Sequence, residues 1–234
     1  MALTLMYITN NPITAQIAQE AGVDRIWIDM EYIGKDERQG GMDTVKNHHT
    51  IDDIKKMRPI VTNAELMVRV NPLHTATDDY YGSEDEINQS IEAGADVIML
   101  PMFKTADDVK RFVSYVDGRA KVQLLVETAE AAAKIDSILE VPGVDEIHIG
   151  LNDLHLAMHK AFMFELICDD TVASLLQKNE SKRYQIWIWW NCSSWIWNAS
   201  GRVYYCRTLS SWFNSSYSLQ RFLRCQYCER PYGD

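Results

Sequence analysis

Cysteine is almost missing from the first 178 residues: Cys168 stands alone there, and Cys192, Cys206, Cys225 and Cys228 all fall in the last quarter. One thiol cannot build a disulfide framework, so this part reads as a reduced, cytoplasmic protein. It also lacks a His/Cys cluster with zinc-ligand spacing, which argues against a structural zinc site. Basic residues are scarce as well. The chain carries a net charge of −10, yet residues 179–234 hold seven Lys/Arg against three Asp/Glu, a net of +4, leaving −14 on residues 1–178. Such an acidic body argues against nucleic acid and anionic membrane surfaces as partners. Long apolar runs are absent, so nothing spans a bilayer, and MALTLMYITNNP has neither the basic start nor the apolar core of a signal peptide. No GxGxxG follows the first strand-like run, which disfavours a dinucleotide-binding sheet.

What is present is a rhythm. Short apolar runs, Leu5–Ile8, Arg25–Asp29, Leu66–Val70, Val97–Leu100, Val122–Val126 and Glu146–Ile149, alternate with amphipathic stretches. The helix over Pro12–Ala21 closes on Gly22, a left-handed cap. Thr50-x-x-Asp53, Ser83-x-x-Glu86 and Thr105-x-x-Asp108 have the spacing of helix-opening capping pairs, and Ala129–Leu139 reads as one helix. A long polar loop runs from the second strand to His49. Six strand-then-helix units with nearly continuous apolar strands predict a parallel sheet covered on both faces. Their even spacing favours the α/β class, a (β/α)8 TIM barrel, here incomplete at about six units.

The remainder reads differently. Six of seven tryptophans lie between Trp187 and Trp212, and IWIWWNCSSWIWNASG fits neither a helical nor a strand period. Tryptophan has one codon, TGG, which read one nucleotide later always becomes a glycine codon. Shifting Trp187, Trp189, Trp190, Trp195 and Trp197 in this way yields G-x-G-G-x-x-x-x-G-x-G, with a fluent glycine-turn, helix and strand text around it. Gln177-Lys178-Asn179-Glu180 implies an adenine-rich tract, where one extra A makes the switch. Residues 1–178 are therefore expected to form a partial barrel and residues 179–234 an out-of-frame tail that is no domain; the competing reading is a tryptophan-rich C-terminal module. Cys225-x-x-Cys228 and the sequons at Asn191, Asn198 and Asn214 are discounted as products of the shift.

In a barrel of this kind the C-terminal strand ends line the active site. Those ends offer Asp29 and Glu31, Arg69, Glu127 and Asp153. Four carboxylates and one guanidinium at one rim call for a cation, and carboxylates plus water oxygens suit Mg²⁺ or Mn²⁺. Each residue also has a plain structural use, as a helix N-terminal acid, a turn former or a stacked surface side chain.

The segments IDMEYIGKD, LMVRVNP, GADVIMLPM, LLVET and HIGLNDLHLAM, in that order, resemble the HpcH/HpaI aldolase and citrate lyase family over nearly all of residues 1–178. The resemblance implies a metal-dependent (β/α)8 carbon–carbon lyase working through a pyruvate or acyl-thioester enolate. By position it implies Glu127 and Asp153 as metal ligands, Arg69 steadying the enolate oxygen, and the Gly150-Leu151-Asn152 backbone receiving the substrate carboxylate. Asp29 and Glu31 would support metal-bound water. Two departures stand out: Tyr32 replaces a histidine of the pyruvate aldolases, and Leu125 stands where they often have a glutamine. A tyrosine titrates near 10 and a histidine near 6.5, so Tyr32 is a poor base at neutral pH. His48 and His49 could reach the site from the loop; His148 reads as outward-facing or packed.

The expected function is thus a divalent-metal lyase for a 2-keto acid such as pyruvate, with a citrate-lyase-like acyl-CoA lyase as the alternative. A small-molecule partner and a trimeric or hexameric homo-oligomer follow from the resemblance. A third reading is a non-catalytic product of the shifted frame, poorly folded because two barrel strands are missing.

Overall fold

The computed structural model describes residues 5–35, 47–77, 80–180, 185–189 and 211–212, with side chains through residue 178. Strands β1 (Met6–Ile8), β2 (Arg25–Asp29), β3 (Glu65–Arg69), β4 (Val97–Leu100), β5 (Lys121–Val126) and β6 (Glu146–Gly150) lie side by side, all parallel. Helices α1 (Pro12–Glu20), α2 (Ile51–Met57), α3 (Ser83–Glu92), α4 (Ala106–Val116), α5 (Ala129–Ala133) and α6 (Ile135–Leu139) connect them. The chain then runs through α7 (Leu151–Ala157), α8 (Glu165–Cys168) and α9 (Thr171–Glu180). This is an α/β fold of incomplete TIM-barrel type.

The local signals act where their chemistry requires. Asn11 caps α1 by accepting from the amides of Ile13 and Thr14, and Pro12 takes the first turn, where a missing N–H costs nothing. Thr50 and Thr105 form capping boxes with Asp53 and Asp108. Gly22 and Gly94 adopt φ of 90° and 105°, the left-handed exit those turns need. Two expectations fail locally. Gly82, not Ser83, caps α3, because the Ser83 hydroxyl accepts from the His74 amide at 2.8 Å. The single helix expected over Ala129–Leu139 is two, broken where Lys134 leaves helical geometry at φ −103°, ψ 15°.

Beyond α9 the structure departs from the expectation that the tail supplies no strand. Gln185–Trp189 forms β7, parallel to β6, and Ser211–Trp212 forms β8, antiparallel to β7. Within Gln-Ile-Trp-Ile-Trp the β-branched and aromatic residues do alternate, and such residues favour a pleated strand. β7 thereby covers the edge of β6. Among the described residues β1 and β8 do not pair, so the sheet stays open between them. Cys225, Cys228 and the sequons at Asn191, Asn198 and Asn214 lie outside the described residues.

Alternation along the strands sorts the core into two bodies. Ile26, Ile28, Leu66, Val68, Ile98, Leu100, Leu124, Val126, Ile147 and Ile149 face the helices and pack with Ile54, Phe112 and Ile138. On the other face Met6, Trp27, Met67, Val97, Met99 and Leu125 form a separate apolar cluster. That inner face is layered. At the strand starts, Arg25 pairs with Glu146 at 2.7 Å and with Glu65, while Gln123 donates to Glu146 at 2.6 Å. The apolar layer follows, and the strand tips carry the charged site.

His148 belongs to the middle layer, not to the outside. It is fully buried, edge-on to Trp27 with ring centroids 5.9 Å apart, and neither ring nitrogen has a hydrogen-bond partner among the described residues. Burial, together with Arg69 and Arg25 nearby, pushes its pKa down to about 3. The sign follows from linkage: an unfolded chain takes up this proton near pH 6.5 and the folded chain does not until about 3. Stability is expected to fall by about 1.4 kcal/mol per pH unit from this group as pH drops through that window. His148→Phe should remove that slope, measured by urea unfolding at several pH values, without lowering stability at pH 7, because it also removes unsatisfied buried nitrogens.

Candidate active site

The site is built at the tips of β2, β3, β5 and β6. Asp29 and Arg69 are register partners on adjacent strands, so their side chains project from the same face at the same height. The guanidinium grips the carboxylate as a fork: Nε donates to Oδ1 and Nη2 to Oδ2, both at 2.8 Å. Arg69 Nη1 also reaches Glu31 Oε2 at 3.1 Å, and its Cζ lies 5.1 Å from the centre of the Trp27 ring beneath it. Burial opposes charge on both partners. For Asp29 the neighbouring Arg69 and Lys35 outweigh it and hold the carboxyl far below the usual range. For Arg69, Asp29 and Glu31 outweigh it and raise the guanidinium further still.

Lys35 was not anticipated. Its ammonium lies 3.2 Å from Asp29 Oδ2 and 3.9 Å from Glu31 Oε2. The four-residue spacing from Glu31 is the signal that could have found it. Asn47 adds a donor to Asp29 Oδ2 at 3.3 Å. Asp29 and Glu31 thus face two cations, Arg69 and Lys35.

Glu127, just past β5, has a different setting. It is buried, and Oε1 accepts the Met102 amide at 3.1 Å. Met102 achieves this with φ of 54°, a left-handed conformation that a non-glycine residue adopts at a cost of roughly 1 kcal/mol or more. Burial, then the charges of Glu31 and Asp153, raise the Glu127 carboxyl well above the ordinary range, with Arg69 partly opposing. Asp153 sits in the first turn of α7, 8% exposed. Gly150 makes room between them: a β-carbon there would lie 3.1 Å from Glu127 Cβ and from Leu125 Cδ1, and 3.2 Å from Glu127 Oε2. Gly150→Ala is therefore expected to displace the Glu127 side chain, with little change in melting temperature.

The structure places the other expected residues less uniformly. The backbone of Gly150, Leu151 and Asn152 forms the entry to α7, beside Glu127. Tyr32 turns away into a second cluster: its amide and that of Ile33 donate to Asn71 Oδ1 at 3.0 Å, and its ring is edge-on to Tyr80 at 5.3 Å. Tyr80 and Asn71 in turn donate to the buried Glu86 at 3.0 and 2.8 Å. Burial raises the Tyr32 hydroxyl above its usual value. His49 lies against the β2 tip, its Nδ1 accepting the Asp29 amide at 3.0 Å. Among the described residues no three His, Cys, Asp or Glu side chains converge as a metal cage. No described helix is long and apolar enough to cross a membrane.

Among the described residues the fold is an unclosed α/β barrel with carboxylates and a buried arginine at its strand tips. The family model for HpcH/HpaI aldolase/citrate lyase matches residues 3–162, and the chain belongs to that family. Its fold is similar to that of an HpcH/HpaI aldolase/citrate lyase family protein from Burkholderia cenocepacia J2315, at 18% identity and a TM-score of 0.62, covering 79% of this chain and 78% of that one. Citrate synthase SbnG is similar at 16% identity and 0.60, covering 81% and 79% of the two chains. Macrophomate synthase follows at 14% and 0.57, covering 78% and 70%. No curated protein sequence matches the chain. The family is of aldolase and lyase type, acting on small molecules.

Proposed function

We propose that the site is that of a carbon–carbon lyase acting on a 2-keto acid such as pyruvate through an enolate, with a divalent metal, Mg²⁺ or Mn²⁺. The observation that carries this reading is the charge arrangement. Asp29 and Glu31 are matched by Arg69 and Lys35, while burial and neighbouring carboxylates hold Glu127 far from comfortable ionisation. A bound dication relieves that penalty, and two carboxylates leaving room for water suit a hard ion. Glu127 and Asp153 would hold it. When bound, such an ion polarises the keto oxygen and offsets enolate charge.

The chain's own residues then divide the work. Arg69, fixed by the Asp29 fork and by Trp27, presents a rigid positive charge to the developing enolate oxygen. Asp29 and Glu31, expected to assist a water molecule, act in this reading chiefly by orienting Arg69 and Lys35. The Gly150–Asn152 backbone receives the substrate carboxylate. Tyr32, its hydroxyl raised by burial, is protonated at neutral pH and does not act as the base. The acyl-CoA lyase alternative keeps the same enolate chemistry. A cytosolic location and a homo-oligomer are part of the proposal, the first from the lone Cys168 in residues 1–178 and the second from family resemblance.

The test is hydrogen exchange at C3 of pyruvate by the protein expressed with the extra adenine of codons 177–180 removed, followed by NMR in D₂O with and without Mn²⁺ or Mg²⁺. Metal-dependent exchange supports enolisation. Tight metal binding with no exchange would leave a binding protein and discard the lyase.

A further inference from the structure

The side chain of Asn71 bridges from α3 to the turn after β2, and the sense of its amide is dictated from both sides. Its Oδ1 accepts the amides of Tyr32 and Ile33, both at 3.0 Å. Its Nδ2 donates to Glu86 Oε1 at 2.8 Å and to the Tyr80 hydroxyl at 3.2 Å, while its backbone amide lies 3.3 Å from each Glu86 oxygen. Tyr80 donates to the same Oε1 at 3.0 Å. A peptide N–H can only donate and a carboxylate can only accept, so the carboxamide fits in one orientation. Asn71 and Glu86 are both fully buried. Burial pushes the Glu86 carboxyl above its ordinary value, and the bonds from Asn71 and Tyr80, with the charge of His74, pull the other way.

What Asn71 holds is the turn that carries two of the site's charges. Tyr32 follows Glu31 directly, and Glu31 Oε2 lies 3.1 Å from Arg69 Nη1. The same turn closes where the Lys35 amide donates to the Tyr32 carbonyl at 3.1 Å, and the Lys35 ammonium reaches Asp29. Arg69 and Asn71 stand together at the end of β3. The first binds the acidic side chains of the β2 tip, and the second binds the backbone just beyond them. Glu86 decides which end of Asn71 faces that backbone.

We propose that Glu86 is a positioning residue of the active site: from α3, through the Asn71 carboxamide, it fixes the turn after β2 and with it the approach of Glu31 to Arg69. Its effect on turnover rests on the lyase reading above. Glu86 touches no substrate in this arrangement; it acts by polarity, two hydrogen-bond steps behind the guanidinium. A side chain offering Asn71 both a donor and an acceptor lets the carboxamide turn over, which sets an NH₂ against the Tyr32 and Ile33 amides and releases the turn.

The test reverses the polarity. Glu86→Gln supplies the ambiguous partner, and Asn71→Asp sets a second buried carboxylate against Glu86. Combining the two restores the order: the aspartate gives one oxygen to the Tyr32 and Ile33 amides and accepts the new glutamine NH₂ on the other. The protein is expressed with the extra adenine of codons 177–180 removed, or as written where sequencing shows no extra base. In Glu86→Gln, hydrogen exchange at the Tyr32 and Ile33 amides should quicken about tenfold, and the ¹⁵N resonances of the Arg69 guanidinium should shift. The saturating rate of pyruvate C3 exchange should fall about tenfold, with the half-saturating concentration nearly unchanged. The double variant should return the amide protection and the Arg69 resonances to the parental pattern, and the rate to within about threefold of the parent. Should Asn71→Asp fail to fold, Glu86→Gln and the double variant still decide. A purely structural role would lower the melting temperature of Glu86→Gln and leave the Arg69 resonances and the rate of the folded protein in place. That result, or a double variant no better than Glu86→Gln, overturns the proposal. Absence of C3 exchange in the parent removes the lyase alone, and the Tyr32, Ile33 and Arg69 signals then decide the positioning.

Discussion

In the protein expressed with the extra adenine of codons 177–180 removed, Glu127→Gln is expected to abolish metal-dependent exchange and cleavage, by a factor of about 10³ or more, while making the metal-free protein more stable. Both halves follow from one arrangement. The carboxyl is buried, faces the charges of Glu31 and Asp153, and receives one amide from Met102 among the described residues. Its pKa is raised in the folded state, so without a cation its contribution to stability is present at acid pH and is lost as pH rises above the unfolded value near 4.5. The amide of glutamine keeps the shape and removes that loss. Thermal melts in chelator at pH 7 and pH 5 should show the variant ahead of the parent at the higher pH, and the lead shrinking at the lower. Adding Mn²⁺ should raise the parent's melting temperature and leave the variant's unchanged. Unchanged turnover would remove Glu127 from the mechanism.

The second large effect concerns the reading frame. The tail from about residue 179 is proposed to be out of frame, and residues 1–178 to be the family-like unit. DNA sequencing across codons 177–180 should reveal one adenine too many, and its removal should yield a protein that melts cooperatively, stays soluble and turns over. The chain as written is expected to scatter light on heating and to show little activity. Among the described residues its sheet is open between β1 and β8, and unpaired strand edges invite association. In place of two family-like parallel strands the tail gives β7 and a two-residue antiparallel β8, a weak closure for a fold whose stability is roughly 5–15 kcal/mol. A sharp, reversible melt of the unaltered chain with no gain on base removal would count against the shift.

Much of the fold was legible because short-range chemistry wrote it. Thr50/Asp53 and Thr105/Asp108 cap where their spacing says, and six apolar runs become six parallel strands. What escaped was set by contacts and backbone geometry that the short motifs do not encode. Whether Ser83 capped depended on His74, and whether Ala129–Leu139 was one helix depended on Lys134. His148 looked like an ordinary alternating residue; only the curl of the sheet turns its face inward against Trp27. Strand ends alone point to Asp29, Glu31, Arg69, Glu127 and Asp153 as candidates. Lys35 and the Met102 amide could not be found this way, since each sits on a loop whose path no periodicity encodes.

The ionic floor beneath the apolar layer has a mechanical meaning. Arg25 on β2 and Glu146 on β6 are 121 residues apart in the chain, yet they meet across the hollow side of the sheet. Their bond acts as a bowstring, holding the arc bent without help from the rim where the ends would otherwise join. Two separately expressed halves, parted in the α3–β4 turn near Gly94, would thus carry complementary ends of the same string.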